Sequence, residues 1–221
     1  MAADRIEIAE EVTHKRTFAW ALDWPGWCRA GKDRDLAIAS LIDHAARYAP
    51  VAALAGERLP AVAADGLITV ELVEGGSGTD FGVPSAIGER DRRLVTVAEA
   101  RRLAALVGAA WTTFDRVAAG SPAELRKGPR GGGRDRDRMI GHVIESDHAY
   151  AREIGVRRPS PSIDDRAAVE AERAAMLAVL GRPSDGGPIA GRTWTQRYAA
   201  RRIAWHALDH AWEMEDRAGP S

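Results

Sequence analysis

A single cysteine, Cys28, stands in 221 residues. It has no partner for an internal disulfide, so nothing in the chain calls for an oxidising compartment. No run of about 18 apolar residues occurs, which removes a membrane-spanning helix from consideration. The first ten residues, Met1 to Glu10, are charged and hold no apolar core of a secretory signal. Lysine is scarce: only Lys15, Lys32 and Lys127 contribute to the 31 basic residues. The formal net charge is −1 with 29% of residues charged, so the overall field gives a nucleic-acid partner no support. A cytoplasmic protein with neither membrane nor nucleic-acid partner is expected. G-x-S-x-G, H-E-x-x-H and C-x-x-C patterns are all missing, which excludes the common local signatures of a serine hydrolase, a zincin and a dithiol centre. The glycine-rich stretch from Gly128 to Arg134 lacks the Lys-Ser/Thr ending of a P-loop and follows no predicted strand. It reads as a basic interhelical loop.

What remains divides into two regions, each long enough to contribute to a core. The first, residues 1–90, reads as α+β, a small antiparallel sheet with one helix. Phe18, Trp20, Leu22 and Trp24 alternate with smaller or polar residues, the period of a strand with one buried face. Pro25-Gly26 turns the chain, and Trp27 to Arg29 forms another short strand. From Asp33 or Asp35 a helix is predicted through Leu36, Leu41, His44 and Tyr48 toward Val51. Ile68, Val70 and Leu72 alternate with Thr69 and Glu71 as a further strand, and residues 75–93 read as a connecting loop.

The second region, residues 91–221, reads as four amphipathic helices. Thr96 and Glu99 fit a capping box, and Leu103, Val107, Ala110, Trp111 and Phe114 follow at helical spacing. A second helix starts at Asp135 or Asp137 and stops near Gly155, with Met139, His142, Val143, Ser146 and Tyr150 on one stripe. Ser162 to Asp165 caps a third, which ends at Gly181 with Pro183 just beyond. The fourth runs from Thr193 or Thr195 to about Arg217. Four such segments with mostly short connections predict a four-helix bundle, a scaffold that builds metal sites from facing helices.

The histidines carry the chemistry. His206 and His210 are four apart on the fourth helix, so their imidazoles project side by side. His142 supplies a third imidazole from the second helix. Three neutral histidines leave a coordination position for water or substrate, as in a catalytic zinc-type site. The competing reading is that these histidines hydrogen-bond neighbouring polar groups. Glu145, Asp209 and Glu213 are candidates to orient ligand imidazoles, or else are ordinary solvated carboxylates. His148 lies six positions beyond His142, roughly 240° round the helix, and should point elsewhere. His14 and His44 carry no spacing argument, and Cys28 has no adjacent histidine to activate it.

Helix order, His142 within the second helix, and Trp205-His206-Ala207-Leu208-Asp209-His210 on the fourth resemble the DinB/YfiT-like superfamily over residues 94–217. The resemblance implies a four-helix bundle holding zinc, nickel or a similar divalent ion through His142, His206 and His210. It further implies a thiol-dependent transferase or isomerase, or a hydrolase, with a low-molecular-weight thiol such as mycothiol or bacillithiol as cosubstrate. A homodimer is also implied. Phe18 to Tyr48, with Leu22-Asp23-Trp24-Pro25-Gly26-Trp27-Cys28 followed by a helix, is similar to a HicB-type antitoxin half.

Two functions compete at this point. One is a metal-dependent enzyme in which the ion lowers the pKa of a bound water or thiol, and the resulting nucleophile attacks a small electrophile. The other is a non-enzymatic interaction module using the HicB-like region, with a structural or degenerate metal site. For the second, Trp20, Trp24 and Trp27 would form an exposed aromatic surface; the alternative is that they fill the core.

Overall fold

The computed structural model describes residues 5–62, 66–128 and 133–219. The first region holds four strands, β1 (Ile6–Val12), β2 (Thr17–Ala21), β3 (Cys28–Gly31) and β4 (Leu67–Glu74), in the spatial order β3-β2-β1-β4. Two helices, α1 (Arg34–Asp43) and α2 (Ala45–Leu54), lie between β3 and β4. β1 pairs antiparallel with β2, Ile8 facing Ala21 and Val12 facing Thr17. β4 pairs with β1 in parallel, Ile6 facing Leu67 and Val12 facing Glu74. The sheet is therefore mixed and not antiparallel as expected. The physical reason is the connection: a parallel pair needs a long crossover, and α1 with α2 supplies it.

β1 itself escapes the alternation argument because Glu10 and Glu11 are fully buried in it. Each carboxylate is satisfied by distant groups. Arg34 and the Thr69 hydroxyl donate to Glu10. The Thr79 hydroxyl and the Ser85 and Ala86 amides donate to Glu11. Burial without such partners would be prohibitive for two carboxylates. β2 is buried along its whole length, with both faces covered. Ala19 and Ala21 join the main core with Leu41, whereas Phe18 and Trp20 pack with Trp205 of the last helix.

The expected single helix over 33–51 is interrupted at His44, whose ring nitrogen Nδ1 donates to the Ser40 carbonyl at 2.8 Å. Its N-cap is Asp33, which accepts from the Leu36 amide. Trp20, Trp24 and Trp27 are 1%, 8% and 0% exposed, so the aromatic surface considered for a partner is core. Trp27 stacks on Tyr48 at 5.7 Å and donates its indole N–H to the Leu41 carbonyl. Gly26 turns this layer with φ +92°, and a Cβ there would lie 2.7 Å from a Leu208 methyl. Glycine is required both by that conformation and by the close approach to the last helix.

Residues 75–93 are more than a loop. They contain a short helix, α3 (Ser77–Phe81), and a 3-10 turn over Arg90–Arg92. Asp91 of that turn is buried and paired with Arg201, which ties the segment to the last helix.

Four long helices follow: α4 (Val97–Gly120), α5 (Arg136–Glu153), α6 (Arg166–Leu180) and α7 (Gln196–Arg217). Their starts follow local chemistry. Thr96 and Glu99 form the reciprocal capping box, Asp165 accepts from the Ala168 amide, and Thr195 accepts from the Tyr198 amide. Asp135 precedes α5 but accepts from the Leu125 amide instead of capping its own helix. α4 packs on α7 and α6, and α5 packs on the same two helices. One cluster of buried apolar side chains runs from Ile8, Leu41 and Trp27 through Leu106, Phe114, Met139 and Met176 to Ile203 and Leu208. Among the described residues no helix is long and apolar enough to cross a membrane.

Candidate metal centre

α5 and α7 face each other across the position where the histidine pattern pointed. On α5, Met139 and Val143 are buried, which holds the intervening turn and His142 against α7. On α7, Ala199, Ile203, His206 and His210 recur along one face, and all four are buried. The result is that His142, His206 and His210 each present one ring nitrogen, and the three nitrogens lie within 4.8 Å of one another. The His142 and His206 Nε2 atoms are 3.2 Å apart. Ligand nitrogens at about 2.0–2.1 Å from a tetrahedral ion stand roughly 3.3 Å apart, so this pair is already at ligand spacing.

Three further observations test the fit of a cation. Two Nε2 atoms facing each other at that distance need a proton or a cation between them, since two lone pairs repel. Burial pushes the His142 imidazolium down to a pKa of about 4, with the positive ends of His210 and Arg134 adding to the shift. Burial lowers His206 well below its ordinary value, again reinforced by His210 and by Arg202. Both rings are thus neutral near pH 7, the form that binds metal. His210 is held differently: its Nδ1 lies 3.0 Å from a Glu213 carboxylate oxygen, leaving Nε2 for the centre. That carboxylate is held below its usual range chiefly by the bond to His210, against the opposing effect of burial. A carboxylate behind a ligand imidazole fixes its tautomer and raises its basicity. The donor set fits a divalent ion.

The three candidate orienting carboxylates separate cleanly. Glu213 reaches His210. Asp209 turns the other way and pairs with Arg29 at 2.9 Å. Glu145 is exposed and makes no hydrogen bond to any of the three imidazoles among the described residues. His148 pairs with Glu172 at 2.8 Å and stays out of the cluster, as its angle on the helix requires. His14 and His44 lie outside it too. Cys28 is buried, which raises its thiol pKa far above the reactive range. Residues 129–132 of the glycine-rich stretch lie outside the described residues.

Sequence reasoning missed Arg202. It lies one turn before His206, giving an Arg-x-x-x-His-x-x-x-His series at constant spacing that was there to be read. Its guanidinium carbon sits 5.2 Å from the Tyr150 ring centre and 4.7 Å from that of Trp205. Tyr150 in turn meets the His206 ring nearly perpendicular at 5.6 Å. The first region contributes from behind: Phe18 packs edge-on to Trp205 at 6.0 Å, so the sheet backs the helix that carries two of the three histidines. Comparison with family models, with curated proteins and with solved structures found no match to this chain.

Proposed function

We propose that this chain is a divalent-metal-dependent enzyme acting on a small electrophilic molecule, built as a DinB-like four-helix bundle over residues 91–221 behind a HicB-like α+β layer. The observation that carries the reading is the convergence of three imidazole nitrogens from α5 and α7, with a carboxylate behind His210. Zinc or nickel are the ions this donor set suits, and His142, His206 and His210 are the residues that would hold one. A divalent ion held there supplies Lewis acidity, which draws the pKa of a water or thiol toward neutrality. The chain's own part is to keep His142 and His206 unprotonated by burial and to aim His210 through Glu213. With three protein ligands, a position stays open for substrate or for a low-molecular-weight thiol such as mycothiol. Thiol transfer is the reaction class the resemblance favours, with hydrolysis as the runner-up.

Elemental analysis of protein purified without a metal-affinity tag tests this directly. Close to one equivalent of zinc or nickel is expected in the wild type, lost in both His142→Ala and His206→Ala while the fold is kept. A wild type that neither carries metal nor retains added zinc or nickel overturns the proposal.

A further inference from the structure

We propose that Arg202 is an oxyanion-binding residue and that the small molecule taken by this centre carries a carboxylate. The inference rests on the metal reading for its location, but the observation behind it is separate. Arg202 is only 8% exposed, and its Nη1 is buried with no hydrogen-bond partner. Among the described residues no carboxylate pairs with it.

Each of the other arginines of α7 has a carboxylate against it. Arg197 is paired with Glu99 at 2.6 Å, Arg201 with Asp91 at 2.8 Å and Arg217 with Glu213 at 2.9 Å. A buried cation without a counter-ion is among the most costly features a fold can keep. Tyr150 and Trp205 offset part of that cost by flanking the guanidinium with their rings. Ring faces attract the charge but accept none of its N–H bonds in the way an oxygen does. The Nη1 donor is therefore left unpaired, one helical turn from His206, for a group the chain itself does not supply.

The chemistry of that group follows from the donor. A guanidinium is planar and always charged, and its paired N–H groups match the two oxygens of a carboxylate. One buried guanidinium matches the single charge of a carboxylate better than the two charges of a phosphate monoester. The separation of Arg202 from His206, about 6 Å between Cβ atoms at this spacing, means anchor and reactive group belong to one compact molecule. Tyr150 packs against both the Arg202 guanidinium and the His206 ring, so the two groups share one neighbour.

The test uses the full chain, metal-free and zinc-loaded, titrated with sodium acetate and with sodium phosphate at constant ionic strength. Tryptophan fluorescence and the Arg202 Nε–Hε resonance report binding. Saturable acetate binding is expected in both metal states, at least tenfold weaker in Arg202→Met, with phosphate no tighter than acetate. Arg202→Met should also melt higher than wild type, because it removes an unpaired buried charge while keeping the packing stem. If that variant does not fold, Arg202→Lys keeps the charge but loses the fork, and it should weaken acetate binding without abolishing it.

Acetate binding unchanged in Arg202→Met overturns the proposal, as does tighter binding of phosphate. A melt lowered in Arg202→Met with acetate binding intact assigns the residue a packing role and also overturns it. Acetate binding seen only with zinc, and lost in His206→Ala but not in Arg202→Met, puts the carboxylate on the ion and ends it likewise. Wild type that binds acetate through Arg202 but never binds metal leaves this inference standing while the metal reading fails.

Discussion

Asp91→Asn should lower the melting temperature by about 6–11 °C. Asp91 and Arg201 are 3% and 8% exposed, and Arg201 Nε lies 3.0 Å from Asp91 Oδ1 while Nη2 lies 2.8 Å from Oδ2. Asparagine preserves the shape and can still accept from the Gly88 amide, as Asp91 does at 3.1 Å. What it removes is the charge, leaving the Arg201 guanidinium buried over Trp20 and Tyr198 with no counter-ion. Breaking a buried pair from one side costs about 3–5 kcal/mol. At about 2.1 cal/mol/K per residue, 221 residues unfold with an entropy near 0.46 kcal/mol/K, which converts that cost into the shift above. Circular dichroism melts supply the measurement. The double variant Asp91→Asn with Arg201→Met, which removes the stranded cation as well, should recover a measurable part of the loss. A single variant melting within about 2 °C of wild type would mean that the pair does not hold residues 75–93 to α7, and the reasoning would fall.

Glu213→Ala should weaken metal affinity about 10–100-fold without unfolding the protein, because His210 loses the carboxylate that sets its tautomer. Competition against a chromophoric chelator measures this, and an unchanged affinity would show that Glu213 does not act on the centre. Glu99 gives a pH dependence. Its carboxyl is held down to about 2, first by the Thr96 backbone N–H, then by the Thr96 hydroxyl and Arg197. A depressed carboxyl contributes stability that is complete above its ordinary value near 4.5 and drains away as pH falls toward about 2. Glu99→Gln should therefore flatten the acid limb of a melting-temperature profile over that window, and parallel profiles for the two proteins would sink the assignment.

Helix starts and the histidine cluster were legible because both depend on local spacing. Thr96 with Glu99, and His206 with His210, bring their groups together within one helical turn whatever the rest of the chain does. His142 needed only that α5 and α7 turn their apolar stripes toward the same core. β1 was illegible for the opposite reason. Glu10 and Glu11 break its alternation, and the groups that make their burial tolerable lie 24 to 75 residues further along the chain. The parallel pairing of β4 was hidden in the same way, since alternation within Leu67–Glu74 shows a strand but not its neighbour. Among the carboxylates, i+3 from His210 gives Glu213 and i+3 from His206 gives Asp209, so local spacing does not choose between them; Arg29 captures Asp209 from the sheet.

α7 shows why Arg202 and His206 belong in one argument. Sixteen of its 22 residues are buried, yet it carries arginines, histidines and a glutamate along that buried length. A helix of this composition can be enclosed only if its polar groups find partners, because each unmet one adds a desolvation cost. The fold places a carboxylate against Arg197 (Glu99), Arg201 (Asp91), and Arg217 and His210 together (Glu213), although Arg197 Nε and Arg217 Nη1 make no hydrogen bond. Among the described residues no carboxylate reaches the Arg202 guanidinium, and the His206 Nδ1 is buried without a partner. These two lie one turn apart. A helix that sets carboxylates against its other arginines and none against Arg202 is what the proposed oxyanion site requires, since there the counter-charge arrives with the ligand.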